Sequence, residues 1–355
     1  MLTEKPRFPI KELVLYGWLP SPLKKLLYRL KGYRIGKGVG LALGSVIIGT
    51  NVDIGPETEL GFFSVVRGRT IRIGAHVQIG AASIIDTPNI DIGDGTKINE
   101  QVFIGGLQFP DSRLVIGRNC QIMQMTFVNP TRSIVIGDDS GIGGDCLLFG
   151  HTSWLSRFEG YPVDFDSIEI GNSVSIAWRV FILPGTRVGD GAVVGANSLV
   201  RGTIPPRCLA VGFPARVVAK EPDFPRRLTQ ADKETILREV VDEFIERLRG
   251  DGIRCHTDGD SLIVDAKGRR GWRRRTVRQR LYVASGEPDH AAARKADVVV
   301  SLLRIPDALR SELTRGGRVW LDLEAKERSN DSNDLGDETA LQFRRHGVRF
   351  FRVKV

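Results

Sequence analysis

From Ile54 to Val200 an aliphatic side chain returns every sixth residue, in groups of three. The groups are Ile54, Leu60, Val66; Ile73, Ile79, Ile85; Ile92, Ile98, Ile104; Ile116, Ile122, Val128; Ile136, Ile142, Leu148; Ile170, Ile176, Ile182; and Val188, Val194, Val200. Glycine usually follows the aliphatic residue, with exceptions such as Ala177, and a small or β-branched residue often stands four places on. Successive groups are 7, 7, 12, 8, 22 and 6 residues apart, so every insertion falls after the third member. An amphipathic helix repeats about every 3.6 residues and a half-buried strand every second residue, so neither explains a period of six. Three hexads per turn predict a triangular coil of short parallel strands, with aliphatic residues inside and loops at one corner only. Glycine is expected to permit the sharp corners. Each coil stacks on the one below at about 4.8 Å, and a less regular start is expected near Ile35 and Ile48.

The pattern changes on either side. In residues 1–34, Leu23, Leu26, Leu27 and Leu30 form one helical stripe with Lys24, Lys25, Arg29 and Lys31 around it. A helix here is expected to cap the open end of the coil stack, and a basic amphipathic segment touching an anionic membrane face is the second reading. Residues 221–250 read as a linker and an amphipathic helix, started by Thr229, ended by Gly250, and striped by Ile236, Val240, Val241, Phe244, Ile245 and Leu248. Residues 251–355 read as a small α/β domain, with strands at "SLIVDA", "LYVAS", "ADVVVSLL", "RVWLDL" and "VRFFRVKV" and helices at 306–315 and about 338–346. The polar stretch "KERSNDSNDLGDE" inside it is expected to be a mobile loop.

Composition narrows the classes. The net charge of +9 concentrates in residues 1–34, with eight Lys/Arg against two Glu, and in 267–280, with eight Lys/Arg and no acid. Such clusters favour anionic partners or are simply solvated. Trp272 among arginines would suit nucleic acid, but a cluster alone is a weak signal and nucleic acid is not an expected partner. Cys120, Cys146, Cys208 and Cys255 show no CxxC spacing and suit buried positions in a reducing compartment. No segment reads as a signal peptide or a membrane span, so a cytoplasmic location is expected, with peripheral contact to the inner membrane face as its variant.

The closing stretch carries a resemblance. "IEIGNSVSIAWRVFILPGTRVGDGAVVGANSLVRGTIPPRCLAVGFPARVVAK", residues 168–220, ends in Ile204-Pro205-Pro206 through Gly212, Pro214, Ala215 and Arg216. With the hexads of 35–220 it resembles the left-handed β-helix, or hexapeptide-repeat, acyltransferases. Among these it is most similar to O-acetyltransferases of surface polysaccharides, where a coil ends in "GHT" or "GHS" before an acceptor loop; Gly150-His151-Thr152 stands there. Relatives usually read "VWIG" where this chain has "VSIA", so Ser175 and Ala177 replace Trp and Gly, and Trp178 is expected to fill part of that volume.

The resemblance implies the chemistry. Of five histidines, His151 alone opens the longest insertion at the loop-bearing corner, and it would be the general base for acetyl transfer from acetyl-CoA to a sugar hydroxyl. His76 is expected to be a surface turn residue. Pantetheine would lie between two subunits of a homotrimer, along Ala177, Gly195 and Ala196, with Arg201, Arg216 and Lys220 as candidates for the CoA phosphates. Trp154, Tyr161, Asp164 and Asp166 on the overhang 152–169 are candidates for the sugar or polysaccharide acceptor, with Phe158 and Glu159 beside them. The competing readings are an N-acyltransferase for an amino sugar or nucleotide sugar and a non-catalytic trimeric scaffold. No metal is expected, since a zinc enzyme on this prism needs three converging histidines and only His76 and His151 lie in the coils.

Overall fold

The computed structural model describes residues 9–270 and 273–353, with the side chains of 266–276 outside that description. The chain divides into two compact units, Met1–Arg227 and Leu228–Val355.

The first unit is a left-handed parallel β-helix whose three sheets form the sides of a prism. The first sheet runs from Arg34–Ile35 to Thr203–Ile204, the second from Gly40–Leu41 to Cys208–Gly212, and the third from Val46–Ile48 to Leu199–Val200. Strands pair in parallel from coil to coil, and Ala215–Lys220 folds back antiparallel on Cys208–Gly212. The hexad residues lie in register: Ile54 on Ile73, Leu60 on Ile79, Val66 on Ile85. The register survives the longest insertion, since Ile136 still pairs with Ile170. These side chains are buried in one continuous core from Ile35 to Ala210. At the start the inward residue is Ile47, paired with Val66, rather than Ile48.

The corners work differently from the expectation. The glycine after each aliphatic residue is required by close stacking, not by backbone freedom. A Cβ on Gly80 would sit 2.4 Å from the Asn99 carbonyl carbon, and one on Gly55 would sit 2.5 Å from that of Gly74. The left-handed turn comes two residues later, and non-glycine residues often take it: Glu57, Phe63, His76 and Gln101 all have φ between 56° and 58°. Each costs about 1–2 kcal/mol against the right-handed conformation, which coil stacking offsets. His76 is thus a turn residue, as expected. The small residue four places after the aliphatic one ties coils together; Thr58 Oγ1 donates to Gly74 O at 2.7 Å and Ser140 Oγ to Gly171 O at 2.7 Å. Cys120 and Cys146 fill this same slot, and burial pushes the Cys146 thiol up to about 11. Cys120, Cys146 and Cys208 are buried, whereas Cys255 is only partly so.

A helix, Ser21–Leu30, closes the first coil, but with the opposite face from the one the leucine stripe suggested. The first coil has no neighbour beneath it, so its backbone groups form an unpaired edge. Side chains of the helix supply the missing partners. Lys24 Nζ donates to Ala42 O at 2.7 Å and Ser45 O at 3.0 Å, Lys25 Nζ donates to Val39 O at 2.9 Å, and Arg29 donates to Ile35 O at 2.8 Å. Ser21 Oγ accepts from Leu41 N, and Tyr28 OH accepts from Ile47 N. Lys24 and Tyr28 are fully buried, and burial pulls the Lys24 ammonium down to about 8. Leu23, Leu26 and Leu30 face outward, exposed by 42%, 54% and 76%.

The second unit is a seven-stranded mixed sheet with helices on both faces. Along Val298–Ser301, Val298 and Val300 join one apolar cluster and Val299 the other, as alternation in a strand requires. The helix Gln230–Gly250, held by a capping box between Thr229 and Asp232, buries Leu237, Val240, Phe244, Ile245 and Leu248 in the first cluster. It is therefore part of this unit's core rather than a linker, and the boundary falls at Arg227. The stretch 326–338 is ordered, not a mobile loop: Glu327–Ser329 pairs with Phe351–Val353, and Asp337 binds Arg328 at 2.8 Å. The arginine-rich side chains of 267–276 lie outside the described residues.

Close stacking makes a direct prediction. Gly80→Ala is expected to destabilise the first unit by about 1–3 kcal/mol or more through overpacking. Gly40→Ala, whose nearest contact is the flexible Glu59 Cγ at 3.5 Å, should change stability by less than about 1 kcal/mol. Urea unfolding of the two variants measures the difference.

Candidate functional site

The third sheet's strand Leu147–Phe149 brings the chain to the loop-bearing corner, and the coil resumes at Ile168–Ile170. Between them the overhang leaves through a narrow neck. Asp166 N donates to Gly150 O at 3.1 Å, Thr152 N to Asp164 O at 3.0 Å, and His151 forms an antiparallel bridge with Phe165. A Cβ on Gly150 would lie 2.8 Å from Asn129 O, so glycine lets the neck sit directly on the coil below. That coil's strand, Phe127–Asn129, pairs with Leu147–Phe149, with Asn129 opposite Phe149.

His151 is held from several sides. Its ring lies against Phe149, Trp154 and Phe165, with centroids 6.0, 6.2 and 6.4 Å away. Asn129 Nδ2 is 3.0 Å from His151 Nε2. The buried Thr131 Oγ1 donates to Asn129 Oδ1 at 3.0 Å, which turns the amide nitrogen toward the ring. An amide nitrogen can only donate, so Nε2 accepts and a neutral imidazole carries its proton on Nδ1. Nδ1 is buried and has no partner among the described residues. This leaves one imidazole in a defined tautomer, with a lone pair aimed at a replaceable donor. A group so arranged can take up a proton from a hydroxyl.

Around this pair lies an aromatic band. Phe103, Phe127, Phe149 and Phe181 follow one another along the outside of the third sheet at 5.2–5.4 Å between rings. Phe109 stacks edge-on against Phe165 and carries the Arg132 guanidinium over its face at 4.0 Å. None of Asn129, Thr131, Phe109 and Arg132 is singled out by the repeat. The usable signal for Asn129 is an amide at the loop-bearing corner, one coil before the histidine.

The overhang residues are less constrained. Trp154, Phe158 and Tyr161 are exposed by 77%, 103% and 46%, so they do not pack the loop down within the chain. Trp154 is the one that reaches the His151 ring. Asp164 contributes backbone to the neck, Asp166 Oδ1 accepts from Ser167 N, and both residues, like Glu159, are exposed.

The proposed CoA residues fall at two different corners. Ala177 follows the second sheet's Ser175–Ile176, and Ala177 N donates to Val194 O one coil on, stacking it beside Gly195 and exposed Ala196. Trp178 lies over Gly144, where a Cβ would be 2.4 Å from its ring. Arg216 and Lys220 are exposed on Ala215–Lys220, which extends the same sheet. Arg201 instead follows the third sheet's Leu199–Val200, at the corner that carries His151. The structure thus groups Ala177, Gly195 and Ala196 with Arg216, which lies opposite Val211, and separates from them both Lys220, opposite Cys208 at the other end of that strand, and Arg201. Among the described residues no cluster of three or more His, Cys, Asp or Glu is placed to hold a metal.

A triangular prism of stacked hexads with a histidine at its loop-bearing corner defines an architectural class, the parallel β-helix, and over part of its length the chain is similar to O-acetyltransferases. It is 33% identical over 114 residues to a putative lipopolysaccharide biosynthesis O-acetyl transferase of Escherichia coli K12, covering 29% of this chain and 58% of that protein. It is 36% identical over 113 residues to the galactoside O-acetyltransferase of the same organism, covering 29% and 54%. The chain spans little more than half the length of these relatives. No family model matches it. Among solved structures it is similar to a hexapeptide-repeat acetyltransferase of Vibrio cholerae complexed with acetyl coenzyme A, at 20% identity and a TM-score of 0.29, over 59% of this chain and 83% of that one.

The imidazole assignment is checked without any substrate. Nitrogen-15 spectra of the folded chain, with His151→Ala to assign the signal, should show His151 in the Nδ1-protonated tautomer. Asn129→Ala should move the Nε2 resonance and leave the other four histidines in place.

Proposed function

We propose that the chain transfers an acetyl group from acetyl-CoA to a sugar hydroxyl of a surface polysaccharide or its precursor, with His151 as general base. The observation that carries the reading is the Asn129–His151 pair at the corner from which the long overhang leaves. An acceptor hydroxyl entering between them gives its proton to Nε2 while the Asn129 N–H donates to the acceptor oxygen. That oxygen attacks the thioester carbonyl carbon, the C–S bond breaks, and the proton passes from Nε2 to the departing thiolate, releasing CoA. No covalent enzyme intermediate is needed. Trp154 beside the imidazole offers an apolar face to a sugar ring, and Tyr161, Asp164 and Asp166 offer hydroxyl partners on the same overhang.

The donor belongs along the Ala177, Gly195 and Ala196 edge, with Arg216 and Lys220 toward its phosphates and Arg201 acting from the histidine corner. Those two corners lie on opposite sides of the third sheet, so one reaction centre forms when a second chain brings its edge against the first chain's His151. A homotrimer supplies three such junctions. The partly exposed Phe103 and Leu147 on the third sheet, with Met125 and Trp178 at the neighbouring corner, are apolar surface that such an assembly would cover. Peripheral membrane contact by residues 1–34 belongs to the same reading, where the acceptor is lipid-linked.

Release of free CoA, followed across a panel of sugar and amino-sugar acceptors, tests the reaction. His151→Ala is expected to lower turnover at least about 100-fold with thermal unfolding unchanged; unchanged turnover removes His151 from the chemistry. A preference for amine over hydroxyl acceptors would reassign the enzyme to N-acylation, and no turnover with any acceptor would favour a scaffold. Sedimentation should give a trimer, and a monomer would contradict the shared site.

A further inference from the structure

The helix Ser21–Leu30 faces the prism with its lysines and solvent with its leucines, the reverse of an ordinary surface helix. The edge of the first coil explains the inward lysines, because backbone carbonyls without a coil beneath need donors. Nothing among the described residues covers the leucines. They continue into further exposed apolar residues on the preceding helical turns, Val14 at 65%, Leu15 at 64% and Trp18 at 62%, and Trp18 touches the exposed Phe63 edge-on. Large apolar side chains so grouped mark an interaction surface.

We propose that this end of the prism docks on the surface of an anionic lipid bilayer, with Leu26, Leu30, Val14 and Trp18 entering the headgroup boundary. Charge argues for a bilayer over a second protein surface. Between Ile10 and Arg34 there are six Lys/Arg and a single acid, Glu12. Lys24, Lys25 and Arg29 donate to the coil edge, whereas Lys11 and Lys31 are exposed beside the apolar group and Arg29 remains exposed there as well. Lys31 Nζ lies 4.2 Å from the centre of the Tyr16 ring. Basic rim, leucine face and interfacial Trp and Tyr together match a helix that lies in a negatively charged leaflet. Among the described residues no helix is long and apolar enough to cross a membrane, so the contact is one of lying on the surface. The inference deepens the peripheral contact proposed above for residues 1–34, and the observations behind it involve none of the acyl-transfer residues.

The experiment is sedimentation of the full chain with vesicles of phosphatidylcholine alone or mixed with phosphatidylglycerol. The chain should pellet with the mixed vesicles, weakly with the neutral ones, and less as salt is raised. Val14→Ser/Leu26→Ser/Leu30→Ser changes only exposed positions and should lower partitioning at least about tenfold, with CoA release on a soluble acceptor unaltered. Equal partitioning of the variant and the original chain overturns the proposal, as does absence of binding to mixed vesicles. A variant that instead dissociates the oligomer, without any vesicle binding in the original chain, would assign the face to another copy of the chain.

Discussion

Each coil of the first unit can bond only to the coil above and the coil below, so equivalent corners must sit directly on one another. This constraint selects glycine after the aliphatic residue, because a Cβ at Gly80 or Gly55 would strike the backbone of the next coil. It also places a hydroxyl or thiol four residues on, where Thr58, Ser140 and Cys120 each donate to a carbonyl one coil away. Two of the three corners are closed in this way. Only the third has room for extra chain, and there the register resumes unshifted after insertions of up to sixteen residues.

The same constraint makes the site and the cap. Because the coils are rigid, Asn129 and His151, 22 residues apart in sequence, meet one coil apart at 3.0 Å. Thr131 fixes the amide, the neck fixes the ring, and the overhang hangs free beyond them with Trp154 at its root. At the other extreme, the first coil has no neighbour. Its open carbonyls recruit Lys24, Lys25 and Arg29, and this turns a leucine face toward solvent. In a threefold assembly of parallel prisms three such faces would share one end, which favours a flat, extended partner.

Much of this was legible in the hexads. Their period gives the prism and the common corner of the insertions, and His151 stands out because the longest insertion begins there. Asn129 was hidden because its role depends on which coil lies beneath, not on its neighbours in sequence. The leucine stripe misled for a physical reason: amphipathic periodicity says that two faces differ, and the edge carbonyls decide which face turns inward. In the second unit, "KERSNDSNDLGDE" is polar enough to suggest a loop, yet Arg328 with Asp337 and the pairing of Glu327–Ser329 with Phe351–Val353 hold it. Helix Gln230–Gly250 read correctly as an element but not as part of a core, since its partners, among them Val298 and Leu321, are distant in sequence.

The central claim is that one chain's His151 works on a thioester held at another chain's Ala177–Ala196 edge. Co-expressing two separately inactive variants, His151→Ala and Ala196→Trp, tests it most directly. Ala196 is exposed, so the tryptophan blocks the edge without disturbing the core. Mixed oligomers should recover a measurable share of CoA release, because some junctions pair an intact histidine with an intact edge. A mixture as inactive as either parent, in oligomers shown to contain both chains, would contradict the shared site.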